Sequence, residues 1–169
     1  MSAHPASVDE PTLVRACVFS TGRVSGPGGQ HRNRVETAVF VTHTPTGVST
    51  QGTERRSQIE NKRVAIGRLR LALAVQVRTL PTMPIVASAL WCTRRRDRRM
   101  VISVDHRDYP TLLAEALDLV TALRFDVAAA AVHLGVSASQ LVRVIRLDPA
   151  AGVMFNAGRK TAGLRPLSP

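Results

Sequence analysis

The chain has 169 residues and a mass of 18.3 kDa, a length that favours one compact domain with or without an appendage and excludes a second large catalytic domain. Hydrophobic residues make up 44% of the chain and charged residues 21%, so a hydrophobic core can form and wholesale disorder is excluded. The formal net charge of +11 indicates a polyanionic partner.

The positive charge is concentrated in the first hundred residues. They carry 16 basic and 6 acidic side chains, whereas residues 101–169 carry 7 and 6. Only Lys62 and Lys160 are lysines, and the planar guanidinium of the remaining arginines suits phosphate groups. Contacts with nucleic acid are therefore expected in the first hundred residues.

Neither the cysteines nor the histidines form a pattern of known chemistry. Cys17 and Cys92 are too few for a disulfide framework or a ligand set and favour a reduced, cytoplasmic protein. The five histidines are scattered singly, so no metal site and no cofactor is predicted. The N-terminus lacks the apolar core of a signal peptide, and the most apolar stretch, Thr79–Thr93, is shorter than the roughly 20 residues that a bilayer requires. No membrane segment is predicted.

The first predicted elements belong to a small sheet. Residues 1–12 are predicted to be a flexible lead-in, and Leu13–Ser20 is rich in strand-forming residues. In Val35–His43, the β-branched residues Val35, Thr37, Val39 and Val41 recur at every second position, and Val48–Gly52 can return as the partner strand of a hairpin.

A long helix follows the predicted hairpin. Ser57 and Glu60 form the S-x-x-E pattern of a capping box, and apolar residues then recur at helical spacing as far as Val77, which predicts a helix over Ser57–Arg78. Residues 79–88 are predicted to be a connector broken by prolines, and Val101–Val104 a short strand or a sheet edge.

Beyond residue 105 the pattern is helical. Pro110–Leu123 is amphipathic, and Asp126–Leu147 contains two short helices that meet at Gly135, which can adopt the left-handed conformation. Ser137 and Gln140 form a second capping box. The segment Asp148–Pro169 is predicted to be one more short helix with a loose end.

The spacing around Gly135 resembles a helix-turn-helix unit. In that arrangement four polar residues near the exposed face of the second helix are candidates to contact RNA or DNA: Ser139, Gln140, Arg143 and Arg146. A small helical bundle that only packs its own core explains the same pattern. The basic run Arg94–Arg99 is likewise either a solvated surface or a nucleic-acid contact.

Together these patterns predict an α+β fold, in which a small mixed or antiparallel sheet with a packed helix is followed by a helical, helix-turn-helix-like extension. The predicted division of the chain is a lead-in over residues 1–12, a sheet-containing domain with its connector over 13–105, and the helical extension over 106–169.

The segment Thr21–Arg34, TGRVSGPGGQHRNR, lies between the first two predicted strands. Gly28 and Gly29 permit positive φ and close approach of the backbone to a ligand. Exposed N–H groups at such a tip, together with the neutral amide of Gln30, could stabilise an oxyanion or orient a water. No Asp or Glu between residues 21 and 35 could orient His31, so a catalytic triad is not predicted. A mobile surface loop without function explains the same composition.

This loop and several later motifs together resemble the catalytic GGQ domain of class I peptide-chain release factors and of the smaller ribosome-rescue hydrolases. The resemblance covers roughly Arg15–Leu73. The motifs that carry it, in chain order, are Ser25–His31, Asn33–Thr37, Thr42-His43, Pro45-Thr46-Gly47, Arg56-Ser57-Gln58 and Asn61. The chain departs from the family pattern at Arg34, where Lys is usual, and at Thr53, where Gln is usual.

The resemblance implies a reaction and a catalytic tripeptide. The loop would enter the peptidyl-transferase centre of the large ribosomal subunit and promote hydrolysis of the ester that joins the nascent peptide to tRNA. Gly28, Gly29 and Gln30 match the GGQ tripeptide, in which the Gln30 backbone N–H stabilises the tetrahedral intermediate and the side chain helps to place the water. Gln30 is also a candidate for N5-methylation by a methyltransferase. The resemblance further implies RNA contacts by Arg23, His31, Arg32, Asn33, Arg34, Arg56, Ser57, Gln58 and Lys62.

The P-x-T and S-P-F tripeptides with which full-length release factors read stop codons do not occur in the chain. Codon-independent release, as in ribosome rescue, is therefore favoured, with the ribosome and peptidyl-tRNA as partners of a monomer. Two alternatives stay open: a nucleic-acid- or rRNA-binding adaptor with a non-catalytic GGQ loop, and hydrolysis of peptidyl-tRNA on detached large subunits.

Overall fold

The structure is a computed structural model that describes residues 3–22, 37–81 and 84–167. The described residues form an α+β fold with seven helices and two small antiparallel sheets. The predicted fold class, a small sheet with a packed helix followed by a helical extension, is confirmed.

The chain enters the sheet through a short helix. Helix α1 spans Glu10–Arg15 and strand β1 spans Cys17–Gly22. The strand predicted over Leu13–Ser20 thus starts four residues later than expected. The reason is local: the Asp9 carboxylate accepts a hydrogen bond from the Thr12 N–H at 3.2 Å, and this N-cap favours helix over strand.

The residues before α1 pack against the fold, which differs from the flexible lead-in predicted for residues 1–12. Ala6 is fully buried. Arg70 donates hydrogen bonds to the carbonyl groups of Ala6 and Val8, and His4 Nε2 lies 3.1 Å from the Val77 carbonyl oxygen. The middle and the end of the long helix therefore hold this segment.

The main sheet has three antiparallel strands in the order β1-β2-β3, with β2 at Ala38–His43 and β3 at Ser49–Gly52. The predicted hairpin is confirmed, and Gly47 in its turn adopts a φ of 71°, a left-handed conformation that suits glycine.

One face of the sheet is covered by helix α2, which spans Gln58–Gln76. The Ser57 hydroxyl accepts a hydrogen bond from the Glu60 N–H at 3.4 Å, so the predicted helix start is confirmed. Buried side chains of α2, including Leu69 and Leu73, share one core with Val39 and Val41 of β2.

A short helix and a small hairpin follow. Helix α3 spans Ala89–Arg94, and strands β4 (Arg95–Arg96) and β5 (Arg99–Met100) pair around Asp97, whose φ is 52°. The short strand or sheet edge expected at residues 101–104 thus lies two residues earlier, at Arg99–Met100, because the turn at Asp97 places these residues opposite Arg95–Arg96.

Four helices complete the chain: α4 at Tyr109–Ala122, α5 at Val127–Leu134, α6 at Ala138–Arg146 and α7 at Pro149–Thr161. Gly135 ends α5 with a φ of 65°, as predicted. The Ser137 half of the second capping box is also present, since its hydroxyl accepts from the Gln140 N–H at 3.3 Å.

Helices α2 and α4 pack against each other, and buried side chains of the sheet, α2 and α4–α7 form one cluster. Buried hydrogen bonds tie the later helices together: Trp91 Nε1 donates to the Leu134 carbonyl and the Tyr109 hydroxyl to the Val144 carbonyl, both at 3.0 Å. The division of the chain between residues 105 and 106 stays a prediction.

Within residues 3–22, 37–81 and 84–167, no single helix combines the length and apolarity needed to cross a membrane. Helices α5 and α6 satisfy these two criteria only when taken together, and they are bent by 95°.

Candidate functional site

Three chain segments meet at one end of the main sheet. Gly22 at the end of β1 is paired with Ala38 at the start of β2, and Val39 is paired with Gly52 at the end of β3. The two strand ends that flank the segment 23–36 therefore lie side by side, next to the loop that leads from β3 into α2.

The predicted catalytic residues Gly28, Gly29 and Gln30 lie outside the described residues. The same holds for five of the predicted RNA-contacting residues, namely Arg23, His31, Arg32, Asn33 and Arg34. Their roles stay predictions, and the geometry that bears on them is that of the surrounding scaffold.

A buried asparagine connects the scaffold segments at this end of the sheet. Asn61, which is fully buried, donates hydrogen bonds from Nδ2 to the carbonyl groups of Thr37 at 2.7 Å and Arg55 at 2.9 Å. Its Oδ1 accepts a bond from the Arg55 N–H at 2.8 Å. The carboxamide thus uses both donors and one acceptor site to join the start of β2 to the β3–α2 loop.

Asn61 is a positioning residue to which the sequence had assigned no role, although it is among the motifs that resemble those of the GGQ domain. The signal that could have found it is a polar residue on an apolar helix face, four residues before Ala65 and eight before Leu69, both of which are fully buried. A buried polar group at such a position requires hydrogen-bond partners, and here they are main-chain groups of two other segments.

Gly52 lets β3 approach α2 closely at the same place. A Cβ atom at this position would lie 2.1 Å from the Asn61 carbonyl oxygen, a backbone atom that cannot move aside without displacing the helix. Glycine at the end of β3 is therefore required by the close contact of two backbones.

Four predicted RNA-contacting residues are described, and they lie at or near this end of the sheet. Arg56, Ser57 and Gln58 lead into α2, where Ser57 forms the N-cap while the other two are exposed. Lys62 is one turn further along, and its Nζ lies 4.7 Å from the centroid of the Phe19 ring of β1, a cation–π contact.

Positive charge dominates the start of α2 and the loop before it. Among the described residues, no carboxylate forms an ion pair with Arg55, Arg56, Lys62 or Arg63. Glu54 lies nearby, but it pairs with Arg68 at 2.6 Å. The Thr53 N–H, which donates to the Glu54 carboxylate, and Arg68 hold the pKa of Glu54 below its usual range. Cations without a carboxylate partner attract phosphate groups.

The described part of this end contains no histidine. His43 is at the opposite end of the sheet, paired with Cys17, and burial lowers its pKa. No group of three or more metal-ligating side chains is found among the described residues. What this scaffold offers is therefore positive charge, exposed polar groups and a rigid connection to the flanks of residues 23–36.

The polar residues predicted on the exposed face of α6 are partly engaged by neighbouring segments. Met100 of β5 donates its N–H to Gln140 Oε1 and accepts from Arg143 Nη1, both at 3.3 Å, and Arg146 donates to the Leu167 carbonyl. Ser139 and Arg143 are nevertheless exposed. The part of this helix face that is accessible to nucleic acid is thus smaller than on a freely exposed recognition helix.

The basic run Arg94–Arg99 is divided between structural and exposed roles. Arg94 pairs with Asp108 at 2.6 Å, and Arg95 donates to the Leu134 carbonyl at 3.3 Å. The remaining three arginines of the run, Arg96, Arg98 and Arg99, are exposed on the β4–β5 hairpin.

Comparison with known proteins gives a match in the first half of the chain. Residues 14–84 match the model of the family described as RF-1 domain. The chain is 50% identical over 66 residues to peptide chain release factor 1 of Ureaplasma parvum, a stretch that covers 39% of this chain and 18% of that protein.

Two organellar proteins are similar over the same region. Identity to a chloroplastic peptide chain release factor of Arabidopsis thaliana is 55% over 57 residues, which covers 34% of this chain and 12% of the relative. Identity to the mitochondrial peptide chain release factor 1 of Bos taurus is 39% over 74 residues, which covers 44% of this chain and 17% of that relative. The match therefore spans less than a fifth of the length of each of these relatives.

Proposed function

Because residues 14–84 of this chain match the RF-1 domain family, we propose that the protein is a release-factor-like hydrolase that cleaves the ester of peptidyl-tRNA in the peptidyl-transferase centre of the ribosome. Gly28, Gly29 and Gln30 carry the reaction in this proposal. The ester carbon is attacked by water, the peptide leaves as its carboxylate, and the tRNA keeps its hydroxyl.

In this mechanism the Gln30 backbone N–H stabilises the oxyanion of the tetrahedral intermediate, and its carboxamide orients the attacking water. Neither role transfers a proton to the protein. Such a site suits an ester that the ribosome already holds in place, because positioning and electrostatic stabilisation then supply most of the rate.

The observation that supports the proposal most directly is the scaffold around residues 23–36. Asn61 holds the start of β2 and the β3–α2 loop together, and four cations without a carboxylate partner among the described residues lie beside them. A rigid base surrounded by positive charge suits a segment that must reach into a site lined by RNA phosphates.

We further propose that release does not require a codon, that the protein acts as a monomer in the cytoplasm, and that a methyltransferase modifies Gln30. The absence of the codon-reading tripeptides from the sequence supports the first point. The substrate in this proposal is a ribosome whose nascent chain has not been released.

The proposal is tested by peptide release from purified ribosomes that carry labelled peptidyl-tRNA on truncated message, on a stop codon and on intact message. We expect wild-type protein to release peptide without a stop codon. Gln30→Ala removes the carboxamide that orients the water, and Gly29→Ala adds a Cβ to the backbone that presents the Gln30 N–H. Each should lower the rate by about 10²-fold, the usual effect of misplacing a reacting group by about 1 Å. Gln76→Ala, an exposed glutamine at the far end of α2, is the control and should retain wild-type activity.

Equal release by the wild type and both loop variants would contradict the enzymatic proposal. Sedimentation of the protein with 30S, 50S and 70S particles tests the alternative of hydrolysis on detached large subunits, which binding to 50S particles alone would indicate.

A second candidate function is a nucleic-acid-binding adaptor, and the exposed arginines of the β4–β5 hairpin beside α6 favour it. This alternative predicts sequence-dependent binding to isolated RNA or DNA that is lost in an Arg143→Ala, Arg146→Ala double variant, with no peptide release.

A further inference from the structure

The helical part of the chain contains a cleft of about 1020 Å³. It lies between the turn that joins α4 to α5, one side of α6, and the segment around the end of α7. Eight of its lining residues are apolar, and the six larger ones form an apolar surface inside the cleft: Leu123, Phe125, Val127, Val142, Leu164 and Leu167.

Arginines surround this apolar surface. Arg124, Arg143, Arg146 and Arg159 all line the cleft, and they come from three segments far apart in the sequence. The only acidic residue among those that line the described cleft is Asp126, whose Oδ1 accepts the Ala129 N–H at 3.0 Å as the N-cap of α5. The cleft is therefore strongly positive around an apolar interior.

Three of these arginines have no carboxylate partner within the part of the chain that the structure describes. Arg124 and Arg143 are exposed, and Arg143 donates to the Met100 carbonyl at 3.3 Å. Arg159 donates to the carbonyl groups of Phe125 and Arg165. Because carbonyl groups carry no net charge, the positive charge of these guanidinium groups is not neutralised.

The turn that presents Arg124 is held in an unusual backbone conformation. Arg124 and Phe125 have φ angles of 52° and 63°, which L residues seldom adopt. The Phe125 ring packs 6.0 Å from the Phe155 ring and lies against Gly158, where a Cβ would come within 2.0 Å of it. This packing determines the position of the Arg124 backbone before any ligand arrives.

We propose that this cleft binds single-stranded RNA, with a base against the apolar surface and the neighbouring phosphates at Arg124 and Arg143. Aromatic bases and phosphates combine the two properties that the cleft offers, and planar guanidinium groups bind phosphate oxygens in pairs. A duplex fits poorly, since its bases are stacked on one another and cannot enter the cleft. The choice of RNA rests on the proposed function on the ribosome.

Binding is tested with the full chain and a fluorescent 12-nucleotide single-stranded RNA, by anisotropy at several salt concentrations. We expect the Arg124→Gln, Arg143→Gln double variant to bind about tenfold more weakly. The slope of log K against log salt should become shallower by about 0.7 for each phosphate that the variant no longer neutralises.

Two alanines form a matched pair of charge-adding variants. Ala128 in α5 and Ala150 in α7 are both exposed, and each is the second helical residue after an aspartate N-cap. A glutamate is tolerated at either position because it suits a helix N-terminus, but only Ala128 lines the cleft. Ala128→Glu should therefore weaken RNA binding several-fold, whereas Ala150→Glu should bind as the wild type does.

Methyl NMR spectra of the full chain locate the binding site. We expect the RNA to shift the methyl signals of Val142 and Leu164 in the cleft. Shifts confined to Ile59 and Val18, exposed residues of α2 and β1, would overturn the proposal because they would assign binding to the sheet. Equal effects of Ala128→Glu and Ala150→Glu would also overturn it, as would displacement of the RNA by poly-glutamate at equal charge concentration.

These measurements are made without ribosomes. Loss of peptide release in the Gln30 variants and loss of RNA binding in the cleft variants are therefore separate results, and either proposal can fail while the other holds.

Discussion

Single buried polar residues connect distant segments of this protein. Asn61 joins the start of β2 to the loop before α2, and His4 joins the N-terminal segment to the end of α2. In both, the partners are main-chain groups, so the side chain replaces hydrogen bonds that secondary structure would otherwise supply. Removing such a side chain leaves those groups unpaired, which typically costs about 1–3 kcal/mol for each group.

At this scale, the stability of the protein should depend on the protonation of His4. Its Nδ1 accepts the Ala6 N–H at 3.0 Å, while Nε2 faces the Val77 carbonyl, an arrangement that requires the neutral ring. Burial lowers the pKa of His4 despite that carbonyl and Asp118, which raise it. The unfolded chain therefore binds more protons near pH 6, so stability should fall as the pH decreases through about 6.5.

The measurement is urea denaturation at pH 7.5, 6.5 and 5.5. A single histidine contributes at most about 1.36 kcal/mol per pH unit to the slope. His4→Asn keeps an acceptor for the Ala6 N–H but cannot titrate, so its loss of stability towards pH 5.5 should be smaller than that of the wild type. A remaining slope is expected from His43, whose pKa burial also lowers. An unchanged slope in His4→Asn would count against this account.

At the scale of elements, close backbone contacts decide where glycine is required. Helix α2 contains Gly67 and faces Gly52 of β3, and the two positions differ sharply. A Cβ at Gly52 would lie 2.1 Å from the Asn61 carbonyl oxygen, whereas a Cβ at Gly67 would have no atom of another described element within 4 Å. The same substitution should therefore have opposite effects at the two sites.

Gly52→Ala is expected to destabilise the protein by about 1–3 kcal/mol or more, because the strand and the helix must move apart. Gly67→Ala should stabilise it by about 0.5–1 kcal/mol, since alanine loses less backbone entropy in a helix. Thermal and urea denaturation measure both. A stabilising Gly52→Ala substitution would show that β3 and α2 are not in close contact.

At the scale of the whole molecule, the sheet-containing part and the later helices are joined through α2 and α4. Apart from the apolar packing between these helices, Asp118 of α4 accepts from Arg78 Nη1 at 2.9 Å and from the Thr79 N–H at 3.1 Å. The Thr79 hydroxyl donates to the other oxygen of this carboxylate. The side chain of Asp118 is only 9% exposed, so its charge depends on Arg78 for compensation.

Removal of one partner of a buried ion pair leaves the other charge uncompensated. Asp118→Ala is thus expected to cost about 3–5 kcal/mol of unfolding free energy. Glu54→Ala, which breaks the half-exposed pair with Arg68, is the matched control and should cost about 1 kcal/mol or less. Equal losses in the two variants would contradict the role of Asp118 as a buried link between α4 and the residues that follow α2.

The elements with strong local signals were predicted well from the sequence. The capping serine and the helical spacing of leucines identified α2, alternation identified β2, and Gly135 identified the turn between α5 and α6. Where two local preferences competed the prediction was less accurate: Leu13–Arg15 suit a strand, but the Asp9 cap extends a helix over them. The resemblance to class I release factors was recognised from several motifs that follow one another in the expected order along the chain, and residues 14–84 match the RF-1 domain.

The sequence alone determined most of the local elements, the resemblance of residues 14–84 to the RF-1 domain and the excess of positive charge, because each of these depends on neighbouring residues or on composition. Only the tertiary structure decided the partners of Asn61, the requirement for Gly52, and the assembly of Arg124, Arg143 and Arg159 around one cleft. The physical reason is distance: these contacts join residues that are up to 35 positions apart in the chain or come from different elements, and no local propensity encodes which backbone a side chain will meet.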